Sequence, residues 1–300
     1  MTFEPTESLA PAKVNLCLHI TGRRTNGYHE LDSVVAFADI GDVVGIRPVD
    51  DRVEMRVSCR NMPGSGDPTA EVVPLGTANL AWRALAAGAA ALGGIPGIIV
   101  SLEKRLPAGA GLGGGSSDAA AVLRLMMAAY GGSPSPTVDA AGLGADVPMC
   151  LDPRPWRARG LGEVLAPLTF AHDLPAVLVW PGRPVATPAV FQARRGPFGS
   201  PVPDAALTRL ATDPLGALAG LRNDLTDSAC RIEPVIVAAL EAVRSSRRCR
   251  LTRMTGSGST VFGLFDDDDD ARHAADELTH RHPDWWVRPT RLRGAAAADP

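Results

Sequence analysis

Polar and apolar residues alternate between positions 13 and 20: Lys13, Asn15, Cys17 and His19 fall on one side, Val14, Leu16, Leu18 and Ile20 on the other. A period of two predicts a strand with one buried face. Lys13 and Asn15 then point the same way, either out to solvent or into a cleft. Asn26-Gly27 marks a turn, and strand patterns follow over 33–38, 42–47 and 53–58. A Gly/Pro-rich loop covers 61–68, and an Ala-rich helix covers 80–92 with Asn79 placed to cap it. The apolar run 97–102 reads as a strand, and 119–130, rich in Ala, Leu and Met, as a helix.

The second half is less regular. A break at 131–136 precedes a short helical piece, and Asp146 then stands before an apolar, strand-like run. Residues 153–160 carry Pro, Arg and Gly and suggest a hinge, dividing the chain into domains 1–155 and 156–300. A strand is expected at 176–180, a Pro-rich loop at 197–203, and helices at 204–210, 223–231 and 234–244. A second glycine signal, Gly256-Ser257-Gly258, is a turn running into an apolar strand and means little alone. The acidic run 266–270 reads as the solvated start of a helix over 271–280, favoured by the helix dipole. Trp285, Trp286 and Val287 form a packed last strand, and the tail from Gly294 is expected to be disordered.

Between the strand at 97–102 and the helix at 119–130 lie five glycines within 109–115. Glycine there permits backbone angles that side chains forbid and lets a ligand approach the main chain. The free amides and dipole at the following helix start favour an anion, and Ser116 and Ser117 add hydroxyls. A phosphate cradle follows. It is not a Walker loop, because no Lys precedes Ser116. Nor is it a Rossmann fingerprint, which sits at the first strand with an acid roughly 20 residues on.

Composition narrows the class. The chain has 300 residues, 45% hydrophobic and 21% charged, which suits a globular protein of one large or two modest domains. A net charge of −3 supplies no basic field for nucleic acid. Five dispersed cysteines, without a Cys-x-x-Cys pair, suggest reduced structural thiols and neither a zinc site nor a disulfide framework. No secretory leader or membrane-length apolar run is evident, so a cytoplasmic protein is expected. There are no internal repeats.

The string from Pro107 through Gly111-Leu112-Gly113-Gly114-Gly115-Ser116-Ser117 resembles the ATP-binding motif of the GHMP kinases. Four further blocks occur in that superfamily's order. They are Pro11-Ala12-Lys13-Val14-Asn15-Leu16; Gly22-Arg23-Arg24 with Gly27-Tyr28-His29-Glu30-Leu31; Leu143-Gly144-Ala145-Asp146-Val147-Pro148; and Met254-Thr255-Gly256-Ser257-Gly258. Together they are similar to the branch that acts on 4-diphosphocytidyl-2-C-methyl-D-erythritol in the non-mevalonate isoprenoid pathway.

The resemblance implies an α+β, two-domain GHMP kinase fold: an N-terminal domain like ribosomal protein S5 domain 2, a ferredoxin-like C-terminal domain, and ATP and substrate meeting between them. It implies an ATP- and Mg2+-dependent transfer to the 2-hydroxyl of the substrate. Asp146 matches the catalytic carboxylate and Lys13 its partner lysine. Pro107, Ala108, Gly109, Ala110, Gly111, Leu112, Gly113, Gly114, Gly115, Ser116 and Ser117 match the ATP phosphate loop, with Asn79 and Lys104 near the nucleotide. Asn15, Tyr28, His29, Thr187 and Phe191 match the substrate pocket, where Tyr28 and Phe191 would sandwich the cytosine and His29 would read its edge. No acidic metal ligand can be placed. The protein is expected to act on a small molecule as a monomer or weak homodimer, without nucleic acid or membrane.

Read without the resemblance, Tyr28 is a turn aromatic, His29 a solvated imidazole, and Asp146 a cap or turn residue. Three rivals stand beside the kinase reading. A homoserine- or mevalonate-type kinase leaves Tyr28 and His29 without a base to stack. A non-catalytic nucleotide-binding relative leaves Lys13 and Asp146 without purpose, and a structural protein leaves the glycine loop unexplained. The family pattern is departed from before Asp146, where the segment is shorter and carries two prolines, and at Ser259, where the family has Ala.

Overall fold

The computed structural model describes residues 6–50, 52–59, 76–95, 97–131 and 139–295. The loop at 61–68, the prolines before Asp146 and the end of the tail lie outside them. The chain packs as two compact units. The described parts of 1–12, 40–108 and 113–152 form the first, and those of 13–39, 109–112 and 153–300 the second. A single cut in the sequence therefore does not separate them. The stretch read as a hinge contains a strand, Trp156–Gly160.

Two long strands pass from one unit to the other: β1 (Thr6–Arg23) and β2 (His29–Pro48), which pair with each other. The sequence split β2 in two, but the strand runs on through Gly41, where a Cβ would overlap the backbone of Ala10 and Pro11. In the first unit, β3 (Val53–Cys59) lies parallel to β4 (Ile98–Lys104), and β4 pairs antiparallel with the end of β2, Val43 opposite Glu103. Helices α1 (Leu80–Ala91) and α2 (Gly114–Tyr130) pack against each other through small residues. A Cβ on Gly88 would sit 3.0 Å from the Met126 sulfur. Short helices α3 (Ala140–Leu143) and α4 (Val147–Leu151) follow. The strand-like run after Asp146 is thus a helix, with Pro148 in its first turn, where a missing N–H costs nothing.

In the second unit, β5 (Trp156–Gly160) pairs with the start of β2, Leu31 opposite Gly160, and with β6 (Val164–Pro167). Next come β7 (Leu174–Trp180), α5 (Thr187–Ala193), α6 (Asp204–Arg209), α7 (Pro214–Ala219), α8 (Thr226–Ile232) and α9 (Val235–Arg244). The chain closes with β8 (Leu251–Met254), β9 (Val261–Leu264), α10 (Asp268–Arg281) and β10 (Trp286–Leu292). These strands lie in the order β10-β7-β9-β8, all antiparallel, with α9 and α10 packed on the sheet. That is the β-α-β-β-α-β ferredoxin-like arrangement. Helix α7 and strand β8 were not foreseen. The acidic run caps α10, with the Asp267 carboxylate accepting from the Asp270 amide at 2.8 Å. Gly294 does not begin a loose tail: its amide donates to Asp173 at 2.7 Å and its carbonyl accepts from Phe170.

Both faces of β1 are buried from Ala10 to Ile20, which corrects the one-faced reading. Lys13, Asn15 and His19 are 7%, 5% and 2% exposed. The five cysteines are unbridged, and burial pushes the Cys17 thiol up to about 12. No helix among the described residues is long and apolar enough to cross a membrane.

Candidate active site

In the first unit, α2 opens five residues earlier than its apolar pattern suggests, at Gly114. The preceding Gly113 is left-handed, φ +67°, and no side chain caps the helix. Its first-turn amides precede any acceptor within the helix, so they and the dipole are available to an anion. The two serines differ. Ser117 is buried, its hydroxyl donating to the Pro11 carbonyl at 2.8 Å and its amide to Gly113, so both of its donors are committed. Ser116 is half-buried, and a Cβ on Gly144 would lie 3.9 Å from its Oγ. The Leu143–Asp146 block therefore passes beside the helix start. Asp146 occupies the cap position of α4 without capping it through its side chain, and it is partly exposed. Asn79 caps α1, its Oδ1 accepting from the Ala81 amide at 2.8 Å.

Lys104 is where sequence reasoning departs most from the fold. It is buried and ion-paired to two carboxylates, Asp42 and, at 2.7 Å, Asp118. Burial opposes the ammonium charge, yet Asp118 and Asp42 outweigh it and raise the Lys104 pKa. For Asp118, burial pushes upward, the Lys104 charge pulls downward and Asp42 pushes upward again, leaving it at about 8. Its Oδ1 finds no hydrogen-bond partner among the described residues, so nothing there offsets the burial that raises its pKa. The folded state then holds a proton that the unfolded chain releases near the ordinary Asp value. Stability therefore falls as pH rises from that value to about 8. Denaturant midpoints at pH 6 and 8.5 should drop more for the parent than for Asp118→Asn. Equal drops would contradict the raised value.

In the second unit, β1 faces both glycine segments. The Lys13 amide donates to the Leu112 carbonyl at 2.8 Å, and the Asn15 amide to the Thr255 hydroxyl at 2.8 Å. The Asn15 amide nitrogen donates to Ser33, while its buried Oδ1 has no partner among the described residues and faces Gly256. Gly109 and Gly111 are left-handed, φ +69° and +80°. A Cβ on Gly111 would overlap the Gly258 carbonyl oxygen, and the Thr260 hydroxyl donates to the Ala110 carbonyl at 2.7 Å. The second glycine segment, which looked uninformative, braces the first. Asn223 holds that brace in turn, donating to the Met254 and Gly256 carbonyls at 2.8 Å each. Arg253, just before it, is buried and donates to the carbonyls of Leu16, Leu218 and Leu221.

The aromatic residues gather nearby in the same unit. The His29 ring lies 5.5 Å from Phe191, tilted by 33°, and 6.3 Å from Phe198. Partial burial, then the charges of Arg23 and Arg194, lower the His29 pKa and keep the ring neutral at pH 7. Tyr28 is 64% exposed beside it, so here His29 rather than Tyr28 faces Phe191. Thr187 starts α5 with its hydroxyl 2.8 Å from that of Ser257. Asp42, Asp118, Asn223, Thr260 and Phe198 were missed from the sequence. Only the buried charge of Asp42 and Asp118 in otherwise apolar surroundings offered a signal. Among the described residues no three His, Cys, Asp or Glu side chains gather as a metal cage.

Known proteins share this architecture. The description "GHMP kinases N terminal domain" matches residues 79–151 and "GHMP kinases C terminal" matches 205–284. The 4-diphosphocytidyl-2-C-methyl-D-erythritol kinase of Dinoroseobacter shibae is 48% identical over 290 residues, covering 96% of each chain. That of Paramagnetospirillum magneticum is 44% identical, over 94% of this chain and 97% of its own. A crystal structure of 4-(cytidine 5'-diphospho)-2C-methyl-D-erythritol kinase superposes with a TM-score of 0.80 at 38% identity, covering 97% of this chain and all of that one. With a glycine loop opening an uncapped helix, a ferredoxin-like sheet and this breadth of identity, the chain belongs to the GHMP kinases, in the 4-diphosphocytidyl-2-C-methyl-D-erythritol kinase family.

Proposed function

We propose that the protein transfers the γ-phosphoryl group of ATP to the 2-hydroxyl of 4-diphosphocytidyl-2-C-methyl-D-erythritol, giving the 2-phosphate and ADP, a step of isoprenoid precursor synthesis. The observation that carries this reading is the glycine loop: left-handed at Gly109, Gly111 and Gly113, it enters α2 with the first-turn amides uncapped. Pro107 to Ser117 form the loop that holds the nucleotide phosphates, with Asn79 and Lys104 near the nucleotide. The half-buried Ser116 hydroxyl would hold Mg2+ together with the phosphate oxygens of ATP, and the ion would supply neutralisation of the phosphate charge.

Asp146 takes the proton of the attacking 2-hydroxyl or orients that group, and Lys13 polarises it. As the new O–P bond forms, the bond from γ-phosphorus to the bridging oxygen breaks and ADP leaves. Little basicity is needed, because phosphoryl transfer depends mainly on positioning and charge stabilisation. Asn15 offers its unpartnered Oδ1 to a donor on the substrate. Thr187 lines the same pocket. Tyr28 and Phe191 stack on the base and neutral His29 reads its edge, with both an acceptor and a donor on its ring. We assign 1–155 to the N-terminal GHMP kinase domain with the glycine loop and 156–300 to the C-terminal one, a division of family domains and not of the compact units, which interleave along the chain. We place the enzyme in the cytoplasm as a monomer or weak homodimer, acting on a small molecule and neither nucleic acid nor membrane.

A coupled ADP-release assay with Mg–ATP tests the reading, comparing the cytidine compound with mevalonate, homoserine and galactose. Turnover on the cytidine compound alone supports it, and turnover on another alcohol overturns the pocket. Stacking on a base is worth about 1–3 kcal/mol, so Phe191→Ala should raise KM for the cytidine substrate by about 5–150-fold with KM for ATP unchanged. A parallel rise in both constants would remove Phe191 from the base site.

A further inference from the structure

The buried charges beneath α2 have no part in the chemistry above. Asp42 is fully buried in β2. Its Oδ1 accepts from the amides of Arg105 and Leu106, at 2.6 and 2.8 Å, where the chain leaves β4 and enters the glycine loop. Its Oδ2 accepts from Lys104, which also reaches Asp118 in the first turns of α2, where the loop ends. A Cβ on Gly114 would lie 3.3 Å from Asp42 Oδ2 and 3.4 Å from the Lys104 ammonium. The cluster thus sits directly under the first residue of the helix. Entry and exit of the loop are tied to one buried group.

Stability does not explain such a cluster, since burying ions costs several kcal/mol each and an apolar replacement of similar volume is often as stable. Geometry does. The glycines leave the loop many conformations, and ordering costs about 1–2 kcal/mol per residue. A loop whose ends are already fixed loses less on binding.

We propose that Asp42 and Asp118, acting through Lys104, are positioning residues that set the span of the phosphate loop before nucleotide arrives. The proposal rests on the phosphate-loop reading above. Lys104 is then a strut between the Asp42 and Asp118 side chains.

The test measures affinity for a non-hydrolysable Mg–ATP analogue and for the cytidine substrate, with steady-state kcat and both KM values. Asp42→Asn keeps an acceptor for the two amides and loses the negative charge facing Lys104; Asp42→Ala loses both. Nucleotide affinity and kcat should fall by about 10–100-fold in the Ala variant and by less in Asn, with cytidine-substrate affinity within twofold of the parent. Asp118→Asn should shift nucleotide affinity in the same direction, and it carries the test if Asp42→Ala does not fold. Unchanged nucleotide affinity in folded Asp42→Asn and Asp118→Asn, or a parallel loss of both ligands, overturns the proposal. Failure of the parent protein to bind the analogue overturns the phosphate-loop reading itself.

Discussion

Asp146→Asn should lower kcat by about 10^2–10^4-fold, the usual worth of a proton-transfer group. Asn preserves size and hydrogen bonding, so the loss isolates the carboxylate. The residue stands before α4 with its side chain uninvolved in capping, so the substitution removes no cap. Pro148 in the first turn and the buried Val147, Met149 and Cys150 hold α4 in place without it. Affinity for Mg–ATP should stay within about twofold, because the loop amides and the start of α2 are untouched. Single-turnover rates and equilibrium nucleotide binding check both halves. Turnover within a few-fold of the parent would remove Asp146 from the chemistry. Loss of nucleotide binding together with turnover would place it in the phosphate site.

Gly111→Ala should have the largest effect on the nucleotide site without removing a polar group. Its φ of +80° is strained for any side chain, and the new methyl would overlap the Gly258 carbonyl. The angle alone costs about 1–3 kcal/mol. The overlap must also push apart two segments that the Thr260–Ala110 hydrogen bond holds together. Gly93→Ala is the control: φ is +75°, but nothing lies within 4 Å of the new Cβ. Both variants should lose unfolding free energy. Only Gly111→Ala should also raise KM for ATP, by about tenfold or more if the loop is displaced by an ångström. Equal KM values in the two variants would show that the second glycine segment does not brace the first.

Local patterns carried far. Period-two alternation marked β1, and Asn79 announced α1 as its cap, because both signals act between near neighbours. The pattern erred where packing overrides propensity. Helix α2 starts at Gly114 and not at Ala119, because Ser117 is held by Pro11 and Gly114 lies against the Asp42–Lys104 pair. Alternation in β1 also could not reveal that its polar face is covered, since that face is buried by segments distant in sequence, such as 255–256.

The sequence by itself determined the superfamily, the glycine loop and the residues on which the proposed chemistry depends, because motifs of fixed spacing encode local backbone geometry. Only the tertiary structure decided which of those residues remain available to a ligand. Ser116 and Ser117 are adjacent and chemically alike, yet one is committed to Pro11 and the other is half-buried beside Gly144. Lys104 matches a position near the nucleotide, and only the fold shows that Asp42, 62 positions away, and Asp118 close on it. Long-range partners leave no periodic trace in a single chain. What a buried polar group does is set by which other groups share its enclosure.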